Sequence, residues 1–193
     1  MANNLISTST AATTFIVVLL SLLLAGKSQT FSTSLRRTAM PRGKQNLTHL
    51  HFFYHNVVGG PNATAIRVAE APITNTSATG FGAVIMVDNL LTVGPEPNST
   101  RVGRAQGMYA SADLNNMSFM MVHNYVFDEE RYNGSTLSIL GRNPLMLPVR
   151  EFPVIGGSGV FRFARGYAEA RTYFLNATNR DAIVEYNIYV LHY

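Results

Sequence analysis

With 193 residues, 47% of them hydrophobic and 10% aromatic, the chain is long enough for one globular domain with a proper core, and no second domain is needed. The net charge of +4 is mostly a tail effect: Lys27, Arg36, Arg37, Arg42 and Lys44 supply five of the fifteen basic side chains, leaving ten arginines against eleven acids over residues 46–193. That body has no lysine and no basic stripe interleaved with aromatics, which argues against a nucleic-acid partner, and the absence of cysteine excludes disulfides, thiol nucleophiles and thiolate metal sites.

The apolar run FIVVLLSLLLA at 15–25 has the length of a signal-peptide core and is too short to span a bilayer. Small residues follow it, so residues 1–28 read as a signal peptide, cleaved between Ala25 and Gln29. Residues 29–45 are polar and basic without apolar period and read as a flexible arm. Seven N-x-S/T sites, at Asn46, Asn62, Asn75, Asn98, Asn116, Asn133 and Asn176, stand against roughly two expected by chance. They point to a secreted glycoprotein of the extracellular space, with no membrane segment once the leader is removed.

From residue 48 on, turn signals recur about every ten residues between period-two segments, and no helical period competes. The pattern predicts strands over 48–58, 64–71, 80–88, 101–112, 116–127, 135–141, 149–155 with 160–174, and 182–192, in a domain spanning 46–193. An all-β fold is the consequence; an antiparallel barrel removes exposed edges, and a sandwich is the alternative. In the seventh unit, Gly156, Gly157 and Gly159 read as the turn of a hairpin. Phe161, Phe163, Arg165, Tyr167, Glu169, Arg171 and Tyr173 then fall on one face, with Ala164, Gly166, Ala168 and Ala170 on the other. The bare face predicts room for a ligand, into which Arg150 brings a charge. The bulky face, around Phe161, Phe163 and Tyr167, predicts a surface that covers itself by oligomerisation.

Chemistry-bearing residues are sparse. His49, His51 and His55 share a face of the first strand at a spacing that suits imidazole ligands, which opens a metal-dependent reading through His49 and His51, but no third ligand is marked, and solvated or interface histidines are the preferred reading. Tyr109, in VGRAQGMY, offers a phenol to a cavity or an ordinary core ring, and Asp88 reads as the cap of the turn after its strand. No G-x-S-x-G, P-loop or dinucleotide fingerprint is present.

Taken in order, FYHNV (53–57), FGAVIMVDNLLTVGP (81–95), VGRAQGMY (102–109), YNGSTLSILGRN (132–143) and REFPVIGGSGVFRFARGYA (150–168) resemble the successive motifs of plant dirigent proteins. The resemblance covers residues 46–193 and implies an eight-stranded antiparallel up-and-down β-barrel that assembles as a trimer in the plant cell-wall space. It implies no cofactor: members bind phenoxy radicals made by a separate oxidase and steer their stereoselective coupling to lignans, and some relatives convert quinone methides, including to pterocarpans. At the family's pocket positions Tyr109 and Arg150 match, whereas two usual aspartates are Asn56 and Asn143 and a second tyrosine is Ser111. An amide orients a phenol but neither accepts nor releases a proton, so the carry-over favours positioning over acid/base chemistry. A lyase or cyclase acting on a quinone methide is the alternative on the same barrel.

Overall fold

The computed structural model describes residues 45–193; the expected signal segment and all but Gln45 of the expected arm lie outside the described residues. Nine strands succeed one another in chain order: β1 (Asn46–Asn56), β2 (Ala65–Ala69), β3 (Val84–Thr92), β4 (Arg101–Ser111), β5 (Ser118–Phe127), β6 (Thr136–Pro144), β7 (Arg150–Ser158), β8 (Arg165–Leu175) and β9 (Ala182–His192). Every neighbouring pair is antiparallel, from β1 beside β9 through to β4 beside β3. Pairing of Phe53, Tyr54 and His55 with Thr92, Leu91 and Leu90 brings β1 onto β3 and closes an eight-stranded barrel. Strand β2 continues along the other half of the same β3 edge, from Ala65 opposite Val87 to Ala69 opposite Val84. Closure is why the alternation is so regular: each barrel strand has a wet face and an enclosed one, and only the short β2 keeps an outer edge beyond the closing pair.

Register shifts fall in four ladders, at Val68 in β2, at Val102 in β4, at Ile155 in β7 and at Tyr173 in β8, and the last two bear on the predicted faces. Ile155 is an extra residue between Val154, which pairs with Ile139, and Gly156, which pairs with Ser138. It points outward, and beyond it the inward parity of β7 switches from Arg150, Phe152 and Val154 to Gly157, opposite the buried Leu137. Gly156 and Gly157 are therefore strand residues of the β6–β7 ladder rather than the predicted turn; only Gly159, with φ +61°, opens the reversal. A Cβ on Gly157 would stand 2.5 Å from the Thr136 carbonyl oxygen and 2.8 Å from the Phe161 Cβ, so this position admits no side chain. The space is occupied by Phe161, which a one-turn 3-10 helix, Gly159–Phe161, folds into the barrel. Phe161 is fully buried, 5.1 Å from the Tyr132 and His192 rings, and so leaves the predicted outward face, which keeps Phe163 and Tyr173 about 60% exposed and Tyr167 less so.

The bulge at Tyr173 lies between Thr172 opposite Val184 and Phe174 opposite Ile183. Before it the even residues Ala168 and Ala170 face inward. After it Leu175 does.

The core fills one half of the barrel with rings. Phe52, Tyr125, Phe152 and Tyr186 interlock, with centroids 5.1 Å apart for Phe52 and Tyr125 and 6.2 Å for Phe152 and Tyr186. Each such side chain contributes roughly 1.5–3 kcal/mol by burial. Ala168 and Ala170 are fully buried beneath these rings, paired across the ladder with Phe152 and Tyr186 respectively. The bare alanine face thus makes room for aromatic packing, not for the ligand the sequence suggested.

Candidate functional site

The other half of the barrel is open. A cavity of about 760 Å³ is bounded by residues of all nine strands, β2 and β3 contributing Arg67 and Ile85, with the Ser77–Gly80 loop, Leu145 and the Asn176–Arg180 turn around its mouth. Its walls are aromatic and aliphatic: Tyr54, Tyr109, Phe119, Met121, Val184 and Tyr186. The Tyr109 ring stacks on Phe119 at 4.8 Å. All four residues singled out as polar site groups, Arg150, Tyr109, Asn56 and Asn143, line this one cavity.

Arg150 opens β7 on its inward face and is 3% exposed. Its Nε donates to Asn143 Oδ1 at 3.2 Å and its Nη1 to Thr172 Oγ1 at 2.9 Å. Burial lowers its pKa from the ordinary arginine value, yet an arginine starts so high that it remains a cation. Asn143, buried, gives its amide N–H to the Met121 sulfur at 3.5 Å, so both ends of that amide are held. Asn56 Oδ1 accepts from Asn89 Nδ2 at 3.0 Å and from the Tyr54 hydroxyl at 3.5 Å, which turns its amide nitrogen toward Tyr109. Burial pushes the Tyr109 phenol up, with the Asn56 amide pulling the other way, and burial raises Tyr54 well above the ordinary tyrosine value. Both phenols are donors at neutral pH, not bases.

Sequence reasoning missed Thr172, Tyr54 and Tyr186 as site residues. Thr172 stands one inward step beyond Ala170, so the alternation that places the alanines also places it; Tyr54 shares parity with Asn56. Ser111 lines the cavity but turns its hydroxyl to the Thr79 carbonyl at 2.7 Å.

The histidines are spread over different surroundings. His49 bonds Asn187 Oδ1 at 2.8 Å and stacks on Tyr189, His51 meets Glu185 at 2.8 Å, and both face outward, while His55 is buried against Thr92 Oγ1 at 2.6 Å. Among the described residues no group of three His, Cys, Asp or Glu side chains converges as a metal site would require. Asp88 is not a turn cap: it lies mid-strand, because β3 runs on to Thr92, and its carboxylate pairs outward with Arg104. The Arg104 guanidinium holds that carboxyl below the ordinary aspartate value.

A closed antiparallel barrel, ring-packed at one end and carrying a deep, polar-anchored aromatic pocket at the other, is the architecture of a small-molecule-binding barrel. Residues 47–191 match the family described as Dirigent-like protein. The chain is 48% identical to Dirigent protein 21 of Arabidopsis thaliana over 94% of its length and 100% of that protein, and 48% identical to Pterocarpan synthase 1 of Glycine max over 95% and 100%. Among solved structures, the pterocarpan synthase dirigent protein GePTS1 is 49% identical, with a TM-score of 0.74 over 78% of this chain and 87% of that one. The chain belongs to the dirigent family.

Proposed function

We propose that the protein binds a planar phenolic intermediate, a phenoxy radical or a related quinone methide, in the open half of its barrel and fixes which face reacts, a separate oxidase supplying any oxidation. One observation carries this reading: Arg150 and Tyr109, on strands three apart around the barrel, present fixed donors into a single aromatic-walled cavity. Two anchors and flat walls define one orientation of a flat ligand. A difference of about 1.4 kcal/mol between the two docked faces makes one product dominate tenfold, with no covalent step. Arg150→Leu, Tyr109→Phe and the native protein, each mixed with coniferyl alcohol and a generic oxidase, test this by chiral analysis of the coupled products. Racemic product with the native protein counts against radical steering.

A second reading, dehydrative ring closure through a quinone methide, is favoured by the similarity to pterocarpan synthases. Here Arg150 would stabilise the developing phenolate or carbonyl oxygen, and Tyr109, protonated in the resting protein, would give its proton to the hydroxyl that departs as water and regain one from the substrate phenol as that phenol's oxygen forms the new C–O bond. Neither asparagine can take that part. Turnover of a quinone-methide precursor without any oxidase separates the two readings.

Secretion, N-glycosylation and trimer formation belong to the same proposal. The apolar run at 15–25 supports the first, and the exposure of six of the seven sequon asparagines, Asn176 being half-buried, supports the second. The outward aromatic stripe supports the third: Phe163 and Tyr173 are exposed, and Tyr167 stacks on Tyr189 at 5.1 Å, which in turn stacks on His49.

A further inference from the structure

We infer that the pocket selects an anionic ligand: a planar phenolic that carries an ionised carboxylate to Arg150. The inference rests on the phenolic reading above and adds the charge. Both protein partners of Arg150, the Asn143 amide and the Thr172 hydroxyl, are neutral. Among the described residues, Nη2 donates to no protein atom and no carboxylate lies within ion-pair distance of the guanidinium. The Tyr186 phenol, which lines the same cavity, is raised by burial and stays neutral, so it supplies no counter-charge. A guanidinium withdrawn from water without a counter-ion is costly, and the cost is relieved when a ligand brings the missing charge.

The rest of the cavity agrees in sign. Its lining holds three cations, Arg67, Arg150 and Arg180, and no Asp or Glu. Arg67 is spent on Glu70 at 3.1 Å, but Arg180, exposed at the mouth, makes no ion pair among the described residues. Its φ of +66°, uncommon for a residue with a side chain, belongs to the turn that carries it to the cavity mouth. Position 143 decides the matter. An aspartate there would set a carboxylate oxygen about where Oδ1 now stands, 3.2 Å from Nε, and close the ion pair inside the protein. The amide, of the same shape, leaves the charge for the ligand. A carboxylate supplies it near neutral pH, whereas a simple phenol, with a pKa of about 10, does not.

The test titrates the full chain calorimetrically at pH 6.5 with 4-hydroxycinnamate and with its methyl ester, which share ring and phenol and differ in charge. The acid is expected to bind at least about tenfold tighter, since a charge-assisted pair replaces a neutral contact. Asn143→Asp, checked for folding by its thermal unfolding, is expected to erase that preference by pairing Arg150 internally. Equal binding of both probes, tighter binding of the ester, or a preference that survives in Asn143→Asp overturns the inference and leaves the phenolic pocket standing. Binding of neither probe removes the phenolic reading and the inference together.

Discussion

Acid should destabilise this barrel most through His123. Its ring is 1% exposed, lies 5.6 Å from the Tyr54 ring in a stacked arrangement, and neither nitrogen has a hydrogen-bond partner among the described residues. Burial lowers its pKa from 6.5 to about 4. Between those values the unfolded chain binds a proton that the folded barrel refuses, so stability is complete above pH 6.5 and falls as pH drops toward 4. At about 1.36 kcal/mol per pH unit of that gap, the loss is about 3 kcal/mol. For a domain of this size that is a fall in Tm of about 6–12 °C. His123→Phe keeps a ring against Tyr54 and removes both unpartnered nitrogens, so at pH 7 it should be more stable by about 1 kcal/mol, and its Tm should vary less with pH. Thermal unfolding of both proteins at pH 7 and pH 4 measures the difference. His55, also lowered by burial, and Asp88 and Asp113, lowered by their hydrogen-bond donors, remain in both proteins and cancel. Equal Tm losses in the two proteins would refute the assignment of a neutral, buried His123.

Arg150→Leu should weaken phenolic binding by about 1.5–3 kcal/mol while Tm holds or rises, because an unpaired buried cation becomes an apolar side chain; a Tm fall beyond about 4 °C would contradict the account. Gly157→Ala should lower stability by about 2 kcal/mol, since its Cβ meets backbone oxygen and Phe161; an unchanged denaturation midpoint counts against that packing. Protein recovered from plant extracellular fluid should begin between Gly26 and Gln29 and lose mass on N-glycan removal, and an intact Met1 there would reject the signal-peptide reading. Sedimentation should give a trimer that Tyr167→Glu or Phe163→Glu dissociates, whereas a native monomer at micromolar concentration would reject the outward interface.

The strands are legible in the sequence because a closed barrel imposes one enclosed face on every strand, and the period-two signal survives over most of their length. It fails where a single residue is inserted. Ile155 and Tyr173 carry no composition that marks a bulge, yet each reverses the parity of the strand residues after it, while the glycine cluster draws the predicted turn onto Gly156 and Gly157 and the 3-10 turn Gly159–Phe161, which alternation does not foresee, takes Phe161 inside. Alternation also tells which side a residue faces without telling what fills the space. The alanines do face inward, but Phe152 and Tyr186 arrive over them from other strands. Of the site, Arg150 and Tyr109 can be nominated from their own stretches, whereas Asn56 and Asn143 become visible only through family resemblance. Nothing local marks an asparagine as a pocket residue; its importance lies in the Arg150 and Asn89 contacts that folding brings to it.

The same inward parity does two different jobs along the barrel axis, and the difference decides where a change of charge is felt. At the packed end an inward residue is surrounded by rings, and a polar group there is shut off from bulk solvent, as the buried nitrogens of His123, without a protein partner among the described residues, illustrate. At the open end an inward residue borders a cavity. An amide replacing an acid at 56 or 143 therefore changes the electrostatics offered to a ligand far more than it changes packing. His123 stands where the two regimes meet, because the Tyr54 ring it stacks on is itself a wall of the cavity. Substitutions on the pocket side of that boundary should register in ligand preference, and those behind it in stability and its pH dependence.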